Sequence, residues 1–182
     1  DGKEVDKVKG YTAMRKISYA EDKNGHKRML LNNEPLFQYG PLDQGWWPDG
    51  LYTAPSDEAL VFDIEKTKEM GFNLIRKHVK VEPARWYWYC DRLGMLVWQD
   101  MPSIADNSTN VWDNRTYKRG TDTPVTDEGK ANYYKEWSEI IEAFKVFPCI
   151  VCWVPFNEAW GQFDTDDVVK FTRNLDPSRL IN

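Results

Sequence analysis

Residues 147–163 read FPCIVCWVPFNEAWGQF, and this stretch decides how the rest of the chain is understood. Cys149 to Val154 is an uninterrupted apolar run led in by Pro148, which suits a strand buried on both faces, as in a parallel sheet. The run stops at Asn157-Glu158. A carboxylate placed where a buried strand ends lies at the carboxyl edge of the sheet, the edge at which α/β barrels and open α/β sheets do their chemistry. Phe156, Trp160 and Phe163 surround it in sequence and can partly desolvate Glu158, raising its pKa toward the range a general acid needs.

Working outward, strand and helix patterns alternate. Asp22-Lys23-Asn24-Gly25 is a turn signal, and Met29 to Tyr39 reads as a hairpin bent at Asn32-Asn33 that runs into a strand over Leu36–Tyr39. A Gly-, Pro- and Trp-rich loop, 40–55, leads to Ser56, a good N-cap for a helix with Leu60 and Ile64 on its inner face and a stop at Gly71. Residues 72–80 form the second strand, Pro83 to Leu93 a helix closed by Gly94, and 95–100 the third strand. Residues 103 to about 130 are a long polar loop without periodicity. Tyr133, Trp137, Ile140, Ile141 and Phe144 then fall at helical spacing and lead into the fourth strand. A last helix through about Asn174 precedes Arg179–Asn182, the start of a fifth strand. Four alternations call for a parallel sheet with right-handed crossovers, which leaves a barrel and an open doubly wound sheet both in play. No glycine-rich phosphate loop follows any strand, which argues against a nucleotide enzyme.

Composition narrows the partners. The chain has 182 residues and a net charge of −5, with no basic stripe, so nucleic acid is not an expected partner. Its longest apolar run is far short of the roughly 18 residues that span a bilayer. Three cysteines make no disulfide framework, and Cys149 and Cys152 read as small core residues. The sequence calls for no metal and no cofactor. The first residue is Asp, so the natural amino terminus is expected upstream. The cell compartment stays open, with a periplasmic or secreted parent compatible, and the sequons at Asn107 and Asn114 carry meaning only in a eukaryotic secretory setting. Aromatic content of 14%, concentrated in Trp46-Trp47 and Trp86-Tyr87-Trp88-Tyr89, fits either a packed core or a carbohydrate cleft.

The run Trp-Val-Pro-Phe-Asn-Glu-Ala-Trp-Gly at 153–161 resembles the acid/base motif of glycoside hydrolase family 2, the β-galactosidases, β-glucuronidases and β-mannosidases. The resemblance runs from about residue 11 to the end and selects the barrel. It implies Glu158 as general acid/base and Asn157 as the residue that hydrogen-bonds the sugar 2-hydroxyl, with Trp160 beside them as a flat face for the ring. Asn73-Leu74-Ile75-Arg76 is similar to the family's Asn-x-x-Arg, which implies that Arg76 orients the site's carboxylates; a structural ion pair is equally compatible. Asp100 matches the family's acidic residue at the end of the third strand. His78 either touches substrate or is a satisfied core histidine, and Asp43, Trp46 and Trp47 are sugar contacts or, for the tryptophans, a hydrophobic lid. The family's usual Ser-His-Tyr-Pro after the arginine is replaced here by His78-Val79-Lys80-Val81, which leaves the sugar open.

The expectation is therefore an α/β chain holding about four β/α units of a (β/α)8 barrel, a truncated N-terminal half, since a whole barrel takes about 250 residues. Residues 1–20, with the alternating segment Tyr11–Ser18, are expected to be the tail of a preceding immunoglobulin-like domain, and 21–182 the barrel half. The resemblance implies a fragment of a retaining β-glycosidase, β-galactosidase-like first, whose nucleophilic Glu lies on a seventh strand outside the chain. A sugar-binding module without hydrolysis is the alternative. The strand edges at Leu36–Tyr39 and Cys149–Val154 are expected to drive self-association.

Overall fold

In the computed structural model, described here for residues 2–102, 125–157 and 161–182, two sheets form. The first is an antiparallel meander of β1 (Ile17–Glu21), β2 (Lys27–Leu31) and β3 (Glu34–Pro35). Its turns follow the local chemistry. Asp22 Oδ1 accepts from the backbone N–H groups of Asn24 and His26 at 2.8 and 3.0 Å. Asn32 and Asn33 both take positive φ, +53° and +70°, the two-residue bend that matches strand twist.

The second sheet is parallel and has five strands: β4 (Leu42–Asp43), β5 (Leu74–Lys77), β6 (Leu96–Asp100), β7 (Ile150–Val154) and β8 (Leu180–Ile181). Between them run α1 (Asp57–Glu69), α2 (Ala84–Leu93), α3 (Asp127–Phe144) and α4 (Thr165–Leu175). The strands lie side by side in chain order. A doubly wound sheet reverses its order at a switch point, so this order belongs to a (β/α) barrel and decides what periodicity left open.

Helix starts follow their caps. Ser56 Oγ accepts from Ala59 N–H and Thr126 Oγ1 from Gly129 N–H, and acidic residues occupy the first turns of α1 and α3. The core lies between the helices and the outer face of the sheet. Trp86, Tyr87, Tyr133, Trp137 and Trp153 are buried there, each with its polar atom satisfied or its ring fully packed: Tyr87 Oη donates to Gln99, Tyr133 Oη to the Pro155 carbonyl, Trp137 Nε1 to Thr172 and Trp153 Nε1 to Asp176. Trp86 and Tyr87 are thus core residues rather than a cleft wall.

Three expectations change. The first barrel strand is β4, not Leu36–Tyr39. Phe37 and Tyr39 are exposed, and the Asn73 side chain joins them to the sheet by accepting from Tyr39 N–H and donating to the Phe37 carbonyl. The backbone of Gly40 then passes so close to Leu74 that a Cβ would sit 1.6 Å from its carbonyl oxygen, a passage only glycine allows. β7 is not an edge, because β8 pairs with it and Asn182 N–H donates to the Trp153 carbonyl. Among the described residues the edges are β4 and β8. Finally, Tyr11–Lys16 is not a strand. Arg15 instead donates to the carbonyls of Pro148 and Ile150 at 2.8 and 2.7 Å, docking this segment where β7 begins. No helix among the described residues is long and apolar enough to cross a membrane.

Candidate active site

The carboxyl ends of β5, β6 and β7 bring Arg76, Asp100 and Asn157 together. In parallel pairing, register partners point to the same face, and Arg76 lies opposite Trp98, which lies opposite Cys152. That face looks away from the helices. Arg76 grips Asp100 with both arms of its fork, Nε to Oδ1 at 3.0 Å and Nη2 to Oδ2 at 2.9 Å, and Nη2 also donates to Asn157 Oδ1 at 3.0 Å. Because Oδ1 of Asn157 is taken, its Nδ2 is left to donate, and it bonds no described residue.

His78 Nδ1 lies 2.7 Å from Asp100 Oδ2, and Val79 N–H donates to the same oxygen at 3.3 Å. A carboxylate held by a guanidinium accepts, so the proton of this bond sits on Nδ1. Val79 has φ +47°, which for a β-branched residue costs about 1–3 kcal/mol. The sharp bend it makes directs His78 toward Asp100 and Lys80 toward the helices. Cys152 faces the same interior; burial first, then the charge of Asp100, pushes its thiol up to about 12, so it is no nucleophile at neutral pH. A cleft of about 290 Å³ opens beside Arg76, lined also by Phe156, Gln162 and Asn182. Gln162 Nε2 donates to the Asn157 carbonyl at 3.0 Å and ties the segment after β7 back onto the strand end.

The structure thus gathers Arg76, His78, Asp100 and Asn157. It does not bring Asp43 to them. Asp43 pairs in register with Lys77, on the helix-facing side, and its Oδ2 lies 2.6 Å from Lys77 Nζ. Asp43 forms an ion pair with Lys77 there, since one residue of register separates the two faces of a strand. Trp47 sits on the loop after β4, in an isolated antiparallel bridge with Leu51, and does not touch the cluster. Glu158 and Trp160, with the loop 103–124 and its sequons, lie outside the described residues. Sequence reading missed Val79, Cys152 and Gln162. Only Gln162 had a signal, its place five residues after Asn157. Among the described residues no group of three or more His, Cys, Asp or Glu side chains could hold a metal ion.

A family profile described as "Glycosyl hydrolases family 2, TIM barrel domain" matches residues 26–182. The chain belongs to glycoside hydrolase family 2, as part of its TIM barrel domain. Among curated relatives, a candidate β-glucuronidase of Formosa agariphila is 30% identical over 156 residues, covering 82% of this chain and 13% of its own length. A β-galactosidase of Pectobacterium atrosepticum is 24% identical over 155 residues, 85% of this chain and 14% of its own. Among solved structures, a β-D-glucuronidase of Dictyoglomus thermophilum superposes with a TM-score of 0.77 at 22% identity, over 93% of this chain and 28% of that one. The chain therefore spans about a seventh of the length of these curated relatives, and the structural likeness speaks for the fold.

Proposed function

We propose that this segment supplies the acid/base side of a retaining β-glycosidase site that acts on a terminal β-glycoside, a β-galactoside first, with a β-glucuronide or β-mannoside behind it. The observation that carries the reading is the Arg76–Asp100–Asn157 cluster, built at the carboxyl edge of the sheet one residue before Glu158. In this reading Asn157 Nδ2 donates to the sugar 2-hydroxyl, a bond that strengthens as positive charge develops at the anomeric carbon. Glu158 protonates the leaving oxygen and afterwards takes a proton from the incoming water.

A retaining site needs a second carboxylate about 5–5.5 Å from the first. Asp100 does not serve. It is 1% exposed, and both its oxygens are occupied by Arg76, His78 and Val79. Following the family resemblance, the attacking carboxylate is assigned to a part of the protein outside residues 1–182. The galactoside is put first on the family resemblance alone; Arg76 binds Asp100 and Asn157 through Nε and Nη2 and still borders the cleft.

The test is Glu158→Gln in the full-length protein, assayed on aryl β-galactosides and β-glucuronides of graded leaving-group acidity. Hydrolysis of poor leaving groups should fall by about 10²–10⁴-fold while activated aryl glycosides lose far less in the first step. Equal loss for both would remove Glu158 from the acid role. Faster turnover of glucuronides than of galactosides would overturn the sugar assignment.

A further inference from the structure

On the helix-facing side of the same strand ends lies a second charged cluster that the chemistry above does not use. Lys77, Lys80 and Glu82 are 1, 2 and 4% exposed. Lys77 Nζ lies 2.6 Å from Asp43 and 3.0 Å from Glu82, and 4.4 Å from the centre of the Trp86 ring. Lys80 Nζ lies 2.9 Å from the same Glu82 oxygen, donates to the Gly45 carbonyl at 2.5 Å, and sits 4.6 Å from the centre of the Tyr52 ring. Asp63 on α1 also faces this group, and burial with the charge of Asp43 pushes its carboxyl up.

Burying two lysines is a poor route to stability, since desolvation commonly outweighs the attraction regained and apolar substitutes often do as well. What the cluster does accomplish is geometric. The loop 44–53 between β4 and α1 makes internal hydrogen bonds, Trp47 with Leu51 and Thr53 with Gly50, and one to Asp43. Its remaining hydrogen bonds to the described chain go to the segment after β5: Lys80 to the Gly45 carbonyl, and Val81 N–H to Tyr52 Oη. Gly45 has φ +62°, and a Cβ there would stand 2.4 Å from Glu82 and 3.0 Å from both lysine nitrogens, so the loop backbone rests directly on the charges. The indole nitrogen of Trp47 is buried without a hydrogen-bond partner among the described residues, so it contributes no polar anchor of its own. Trp46, in edge contact with Tyr52, is 62% exposed on this loop.

We propose that Lys80 and Glu82, backed by Lys77, are positioning residues. They clasp the loop 44–53 against the edge of the sheet so that Trp46 is presented as an aromatic wall for the sugar or its leaving group. The aromatic-wall half rests on the glycosidase reading; the clasp does not.

Hydrogen exchange and kinetics on Lys80→Met separate the two. Methionine keeps the length of the side chain, and Glu82 retains Lys77. Exchange of amides in 44–53 should accelerate at least about tenfold, with α2 and β6 unchanged, since only local opening is affected. In the full-length protein KM for an aryl β-galactoside should rise about fivefold with kcat within about twofold, the pattern of lost binding rather than lost chemistry. Unchanged exchange in 44–53 would overturn the clasp. Faster exchange with unchanged KM, in a protein that hydrolyses glycosides, would overturn the wall. Should Lys80→Met fail to fold, Tyr52→Leu tests the same contact from the loop side without removing a buried charge, with the same expected and contrary results.

Discussion

Asp100 makes four hydrogen bonds to three neighbours: two set the plane of Arg76, one orients the ring of His78, and one holds the strained Val79. Through Arg76 it also sets the amide of Asn157. Asp100→Asn keeps the shape and loses the charge, so the guanidinium and the imidazole are free to reorient. A group misplaced by about 1 Å at a reacting centre can cost about 10²-fold, and kcat/KM of the full-length protein is expected to fall by about that factor. The fold should survive, because the cluster lies apart from the aromatic core. Circular dichroism with steady-state kinetics checks this; an Asp100→Asn protein of normal activity would mean that the cluster is only an ion pair.

At the scale of elements, Asp176 between α4 and β8 does for the fold what Asp100 does for the site. Burial pushes its carboxyl up, but the bonds from Ser178 and Trp153 and the charge of Arg179 outweigh that and hold it below the usual carboxylate range. A depressed acid contributes stability that is present above its unfolded pKa and is lost as pH falls through its folded one. Asp176→Ala should therefore cost about 3 kcal/mol at neutral pH, by leaving Arg179 unpaired, and should flatten the acid limb of stability below about pH 4. Urea titrations at pH 7 and pH 3 decide it; equal losses at both would contradict the linkage. Elements of this kind were legible where the signal was local. Ser56, Gly94 and the Asn32-Asn33 bend each act within a few residues of the structure they cause. Leu36–Tyr39 misled because apolar sequence does not establish burial: Phe37 is 80% exposed, and what joins the segment to the sheet is Asn73, through its backbone N–H to Tyr39 and its side chain, a partner 36 residues away from Phe37. The face that Asp43 occupies was not legible for a related reason. Which face a strand residue occupies depends on register with a neighbour, and a two-residue strand shows no alternation from which to read it.

For the whole molecule, sequential strand order settled barrel against open sheet, a property of five strands jointly that no single stretch encodes. The same order leaves β4 and β8 as the outer strands among the described residues, with Leu42 half exposed on one of them. Unpaired strand edges beside apolar surface seek partners, so the 182-residue chain on its own is expected to self-associate. Sedimentation equilibrium at micromolar concentration would show dimers or larger species; a compact monomer that binds little hydrophobic dye would contradict this. The candidate residues near Glu158 were read from a motif confined to nine residues, of which Glu158 and Trp160 lie outside the described residues, whereas the carboxylate that would attack the sugar is assigned to a different part of the protein.

The division of labour between those two carboxylates is tested most directly with Glu158→Ala in the full-length protein, given an activated aryl β-galactoside and sodium azide. A good leaving group departs without an acid, so the glycosyl-enzyme forms, and its hydrolysis then stalls for want of a base. Azide needs no base and fits the space the side chain vacates. Turnover should be restored by about tenfold or more with the β-galactosyl azide as product, the configuration retained. Turnover indifferent to azide, or an α-azide, would contradict it.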